Sequence, residues 1–158
     1  MQYIKKKIMI VIAIIFFSVA YYLISPLFII KESNDILPMV NYVMGSPMGT
    51  KVGSVVEILS GELVPSAHDV SGRVAVYDDN GRKILRFENL ETVNGPDLFI
   101  YLATDVNSDD FVNLGKIKAT KGNVNYEILN DVDLEKYDTV LIWCDAFNVL
   151  FSYAELKK

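Results

Sequence analysis

The sequence predicts an all-β body, an antiparallel β-sandwich or partly open barrel of about 8 strands, behind one N-terminal transmembrane helix. Three observations carry that expectation. Residues 8–30 hold no charged side chain. Beyond Gly53, short β-rich runs alternate with turn chemistry at a spacing of about ten residues. No long amphipathic helical period appears there, so sheets must find their packing partners in other sheets.

Charge divides the 158-residue chain in the same place. Residues 1–31 carry four lysines and no acid, which leaves eleven basic residues against all twenty acids and a net charge of −9 for the rest. So acidic a body repels phosphate backbones and offers no basic stripe, which excludes a nucleic-acid partner. A hydrophobic content of 51% excludes intrinsic disorder. A single cysteine excludes a disulfide-stapled miniprotein.

The elements follow in order. Residues 1–7 form a basic tail and residues 8–30 an anchor whose 23 residues would span about 35 Å as a helix, enough for a ~30 Å hydrocarbon core. Lys5, Lys6 and Lys7 stand before the apolar run, and Glu32 and Asp35 follow it. The positive-inside rule therefore places the N-terminus in the cytoplasm and the body outside a cell membrane crossed once, with the lipid bilayer as partner to residues 8–30. A cleavable signal peptide, cut after Ser18 and Ala20, is the competing reading. Bulky Tyr21, Tyr22 and Leu23 and the continuing apolar run favour the retained anchor. Residues 31–52, with Pro38, Pro47, Gly45 and Gly49 and no clean period, read as a stalk. Met39, Met44 and Met48 there are at no recognised ligand spacing and read as a short apolar segment.

Residues 53–158 form the β domain. Strands are expected at Val55–Leu59, Arg73–Asp78, Lys83–Phe87, Leu98–Ala103, Leu114–Ala119, Val124–Leu129, Thr139–Cys144 and Phe147–Tyr153, with Leu63–Val64 an edge candidate. Asn80-Gly81 between alternating runs is a hairpin signal, because both turn positions need positive φ. Val124, Tyr126 and Ile128 alternate with polar residues, and Phe147, Val149, Phe151 and Tyr153 read as one aromatic face. Only Asp133–Tyr137 reads as helical, for one turn.

Little catalytic machinery is visible. Cys144 is the sole cysteine, on the strand face of Val140 and Ile142 and opposite Leu141 and Trp143. It reads as a small core hydrophobe, a free thiol or a cofactor ligand. His68 is the sole histidine and reads as an exposed loop residue; with Cys144 it could supply two axial ligands to a haem. Asp105–Asp110 mimics the start of a calcium loop but has Asp110 where Gly is needed and Lys116 where a bidentate Glu belongs, so it reads as a solvated acidic turn.

The order of several motifs resembles one family. Phe87-Glu88-Asn89, Asn94-Gly95-Pro96-Asp97 with Tyr101, Leu114-Gly115, Gly122-Asn123 with Tyr126, Trp143-Cys144 and Phe147–Phe151 together resemble the electron-transfer DM-13 domain over about residues 52–156. The resemblance implies an extracytoplasmic β-sandwich-like module, often membrane-tethered or joined to redox modules. It also implies that Cys144 acts as a bare thiol or as a ligand to a prosthetic group such as haem. Trp143, Tyr101, Tyr126 and Phe151 then become candidate pocket walls, or core.

Two functions are expected to compete. One is a membrane-anchored redox or electron-transfer module centred on Cys144, with a membrane redox protein or an envelope component as partner and no catalytic turnover of its own. The other is a binding or adhesion module of the envelope in which Cys144 is a buried core residue.

Overall fold

A computed structural model describes residues 2–25, 30–37 and 55–158 of the chain. Helix α1 (Gln2–Ile24) starts ahead of the expected span because Lys5–Lys7 are good helix formers and extend it. It stops two residues before Pro26, whose ring disfavours helical geometry in the residue preceding it. Within Tyr3–Ile24 an 18-residue stretch has a mean hydropathy of 2.4 and none of it is buried, so the helix is long and apolar enough to cross a membrane.

The body is two five-stranded sheets packed face to face. The first runs β1 (Glu32–Asn34), β8 (Lys121–Ile128), β5 (Arg82–Thr92), β4 (Val70–Asp79) and β2 (Val56–Glu62); the second runs β3 (Val64–Pro65), β10 (Val149–Glu155), β9 (Thr139–Cys144), β6 (Leu98–Ala103) and β7 (Phe111–Lys116). Both sheets have open edges, so the fold is a sandwich and not a closed barrel. Beyond the expected eight are the two shortest strands: β3, an edge strand at the Leu63–Val64 edge candidate, and β1, within the expected stalk.

Period-two alternation builds the core. Val74 and Val76, Leu85 and Phe87, Ile100 and Leu102, Val124 and Tyr126, and Val140 and Ile142 all face between the sheets. The β4–β5 hairpin turns on Asn80 (φ 54°) and Gly81 (φ 89°), the positive pair that its sequence requires. Asp133–Tyr137 makes one turn closed by the Tyr137 amide on the Asp133 carbonyl (2.9 Å), without extending into a helix.

Three local differences have physical causes. The aromatic face expected of Phe147, Val149, Phe151 and Tyr153 does not form, because a bulge between Leu150 and Ser152 turns Phe151 and Ser152 both inward while Tyr153 points out. Strand β7 ends at Lys116, not Ala119, because Gly115 (φ 110°) breaks the register after the Asn113 side chain accepts the Gly115 amide (2.7 Å). Residues 31–37, which open the expected stalk, lie along the first sheet: Glu32, Ser33 and Asn34 pair in parallel with Lys121, Gly122 and Asn123. The rest of that stalk, with Met39, Met44 and Met48, falls outside the described residues.

Candidate functional site

The site assembles where β9 ends and β6 begins. All six residues of β9 are buried, since it runs between β6 and β10. Cys144 closes that strand on the core side and has no exposed surface. Opposite it, Asn94, Gly95 and Pro96 form a buried turn. Buried backbone must find partners, and here the turn finds them in and around β9. The Cys144 thiol donates to the Pro96 carbonyl (3.1 Å), the Asp145 amide donates to the Asp97 carbonyl (3.0 Å), and the Ile117 amide donates to the Leu98 carbonyl (2.9 Å). Pro96 brings no amide to satisfy. Gly95 is needed for space, because a Cβ there would stand 2.8 Å from Phe151 Cζ and 3.3 Å from Leu98 Cδ2.

Two opposing influences act on the sulfur. Burial dominates and pushes the thiol above its ordinary value; the Asp97 and Asp145 charges add in the same direction. The backbone amides of Phe147 and Ala146, in the turn after Cys144, pull the other way. The thiol is therefore neutral at ordinary pH.

Outside this buried turn lies a cleft of about 270 Å³ lined by Tyr22, Lys31, Asn94–Leu98, Lys116 and Ile117. Asp97 Oδ1 pairs with Lys116 Nζ at 2.6 Å, and the Tyr22 hydroxyl of α1 reaches Asp97 Oδ2 at 3.4 Å. The Lys116 hydrogen bond and charge hold the Asp97 carboxyl below the usual range.

The other candidates divide between two faces. Phe151 and Tyr126 are in the inter-sheet core, where the Tyr126 hydroxyl accepts the Lys118 amide (2.8 Å) and burial pushes its pKa up to about 12. Trp143 and Tyr101 lie on the outer face of the second sheet with Leu141, Phe99, Leu150 and Tyr153, and Phe111 stacks on Tyr101 at 4.1 Å. The four aromatics do not wall one pocket. His68 is half-buried rather than exposed, its ring 3.9 Å from that of Phe151 because the 66–68 loop hydrogen-bonds along β10. In the acidic turn, Asp110 pairs with Lys136 (2.7 Å) and accepts the Tyr137 hydroxyl (2.9 Å).

Strand parity found the face of Cys144. It did not find Pro96 as its acceptor or the Asp97–Lys116 pair, both of which depend on contacts between segments far apart in the chain. The buried Asn-Gly-Pro-Asp turn was the available signal, legible as a turn but not as the lid of the thiol.

A haem does not fit this arrangement. The sulfur faces packed core and its proton is committed to Pro96; the adjacent cleft is smaller than the ~300–1,000 Å³ of ordinary ligand pockets. Among the described residues, no three His, Cys, Asp or Glu side chains converge.

Fold and site define a β-sandwich module with one shielded thiol at the end from which its apolar helix departs. Residues 62–156 match the family described as electron transfer DM13, and the chain belongs to that family. No curated protein and no solved structure matches the chain.

Proposed function

We propose that the chain is a single-pass membrane protein whose extracytoplasmic DM13 sandwich serves electron transfer, with Cys144 as its redox group acting as a bare thiol. One observation carries this reading: the chain's single thiol has a specific partner, the Pro96 carbonyl at 3.1 Å, in a buried turn that closes over it. A cysteine serving only as a core hydrophobe needs no such partner. Membership of an electron-transfer family and the uncharged run after three lysines support the same reading. Burial keeps the thiol inert in the closed state, so oxidation waits on local opening of the 94–97 turn that holds it. Reversible formation of a mixed disulfide at Cys144, read by mass spectrometry across a series of glutathione buffers in protein taken from its native membrane, supports the role. In that step the sulfur loses its proton and displaces one glutathione from oxidised glutathione. A sulfur that stays reduced throughout, together with unchanged function in the Cys144→Ser variant, overturns it.

The complete burial of Cys144 favours a second reading, a binding module of the envelope with the cysteine as core. Thiol labelling separates the two. Slow labelling of the native fold, at a rate set by local opening, belongs to the redox reading; labelling only after global unfolding belongs to the binding module.

A further inference from the structure

We propose that the end of the sandwich carrying Cys144 rests directly on the bilayer surface, with the lipid headgroup layer as its partner. The inference rests on the anchor reading above and adds an orientation to it. The uncharged run ends at Ile30, and the very next residue is already part of the body. The Lys31 carbonyl accepts the amides of Thr120 (2.8 Å) and Lys121 (3.1 Å), and the Lys31 amide donates to Thr120 Oγ1 (3.2 Å). From Ile24, where α1 ends, only seven Cα steps lead to Lys31, a reach of at most about 25 Å. No polar spacer stands between membrane and sandwich. The Tyr22 hydroxyl on Asp97 brings the same end of the body to the last turn of the helix.

Register then fixes which loops face the lipid. Leu98 pairs with Cys144 and Glu91 with Lys121, so the connections 93–97, 117–120 and 145–148 share the end at which Lys31 enters. Connections 104–110 and 129–138 lie at the other end, where Ala103 pairs with Thr139. Those far connections carry Asp105, Asp109, Asp110, Asp131, Asp133, Glu135 and Asp138 against Lys136 alone. At the far end the flanking Asp79–Arg82 and Glu155–Lys157 pairs cancel. The near end sets Asp97 and Asp145 in its connections and the flanking Glu32 and Glu91 against Lys118 and the flanking Lys31, Lys116 and Lys121. The strongly acidic pole thus points away from phosphate headgroups and the near-balanced pole toward them. Cys144 is placed at the membrane face, so whatever exchanges electrons with it approaches along the bilayer.

The test uses the full chain in vesicles of phosphatidylcholine and phosphatidylglycerol containing a headgroup-nitroxide lipid. An environment-sensitive fluorophore is attached through Phe147→azidophenylalanine at the near end or Leu129→azidophenylalanine at the far end; both positions are exposed and Cys144 is left untouched. The pair Val93 and Val106, also exposed, repeats the comparison at independent positions. The two ends are separated by the length of β5, whose 11 residues span about 35 Å. At least twofold stronger quenching at 147 and 93 than at 129 and 106 is expected. Equal or reversed quenching on protein that floats with the vesicles overturns the orientation alone, whereas failure to float with them overturns the anchor reading and the orientation together.

Discussion

The Cys144 thiol and the Pro96 carbonyl meet at 3.1 Å with no exposed surface on the sulfur. A buried carbonyl that has lost its donor is costly, and a truncated side chain leaves a void. Cys144→Ala should therefore lower stability at neutral pH by about 1–3 kcal/mol. The pH dependence has a definite sign. The folded thiol titrates above the ordinary value of 9.0, so the unfolded chain loses its proton first. The stabilisation is complete below that value and is lost as pH rises through the folded pKa. Urea unfolding from neutral pH into the alkaline range should show the gap between the two proteins closing.

Gly95→Ala tests the fit of the turn over Phe151. The new methyl would stand 2.8 Å from Phe151 Cζ, and such overpacking typically costs about 1–3 kcal/mol. The Phe151 ring also holds His68 at 3.9 Å. The His68 ring protons should shift in the NMR spectrum of Gly95→Ala even though the two positions are far apart in sequence.

Gly122→Ala should free β1 while leaving the sandwich folded. Its Cβ would collide with the Ser33 carbonyl, and its φ of 101° disfavours any side chain. Hydrogen exchange should accelerate at the Thr120, Lys121 and Asn125 amides, which bond to Lys31 and Asp35, and stay slow in β9.

Acid should act on the same strand. The Asn125 amide and the Ser33 hydroxyl, each bonded to the Asp35 carboxylate, hold it below its ordinary value of 3.8. A depressed carboxylate contributes above its unfolded pKa and loses that contribution as pH falls through the folded one. Cleavage after Lys31 by an acid-tolerant lysine-directed protease should rise as pH drops below 3.8. Unchanged cleavage there would show that Asp35 does not hold β1.

Ser152→Ala should be neutral or stabilising. The bulge in β10 buries this hydroxyl completely, and it has no hydrogen-bond partner among the described residues. Removing an unsatisfied buried group recovers its desolvation cost, up to about 1–3 kcal/mol. A thermal melt shifted upward, or unchanged, is expected; a marked drop would mean that the hydroxyl is bonded.

Much of this fold is legible where a single segment decides its own conformation. Asn80-Gly81 announces its hairpin, and the alternation through β9 puts Cys144 beside Val140 and Ile142 in the core. Legibility fails where a distant partner decides. Three polar residues, Glu32–Asn34, show no period, yet become a strand because β8 presents a free edge to them. The run from Phe147 to Tyr153 alternates cleanly on paper, and one inserted residue opposite β9 undoes the alternation. The site follows the same division: the sulfur's face is local information, whereas its acceptor belongs to a turn 48 residues away.

The parallel β1–β8 ladder also has a mechanical meaning. Tension arriving through α1 enters at Lys31 and runs along β1 away from the body, so the rungs to Lys121, Gly122 and Asn123 are sheared together instead of being peeled one by one. A ladder loaded in this way resists strongly for its length. Under a tug on the body, β1 should hold until its bonds break together, and only then release chain and pass the load to the antiparallel sheets around Cys144.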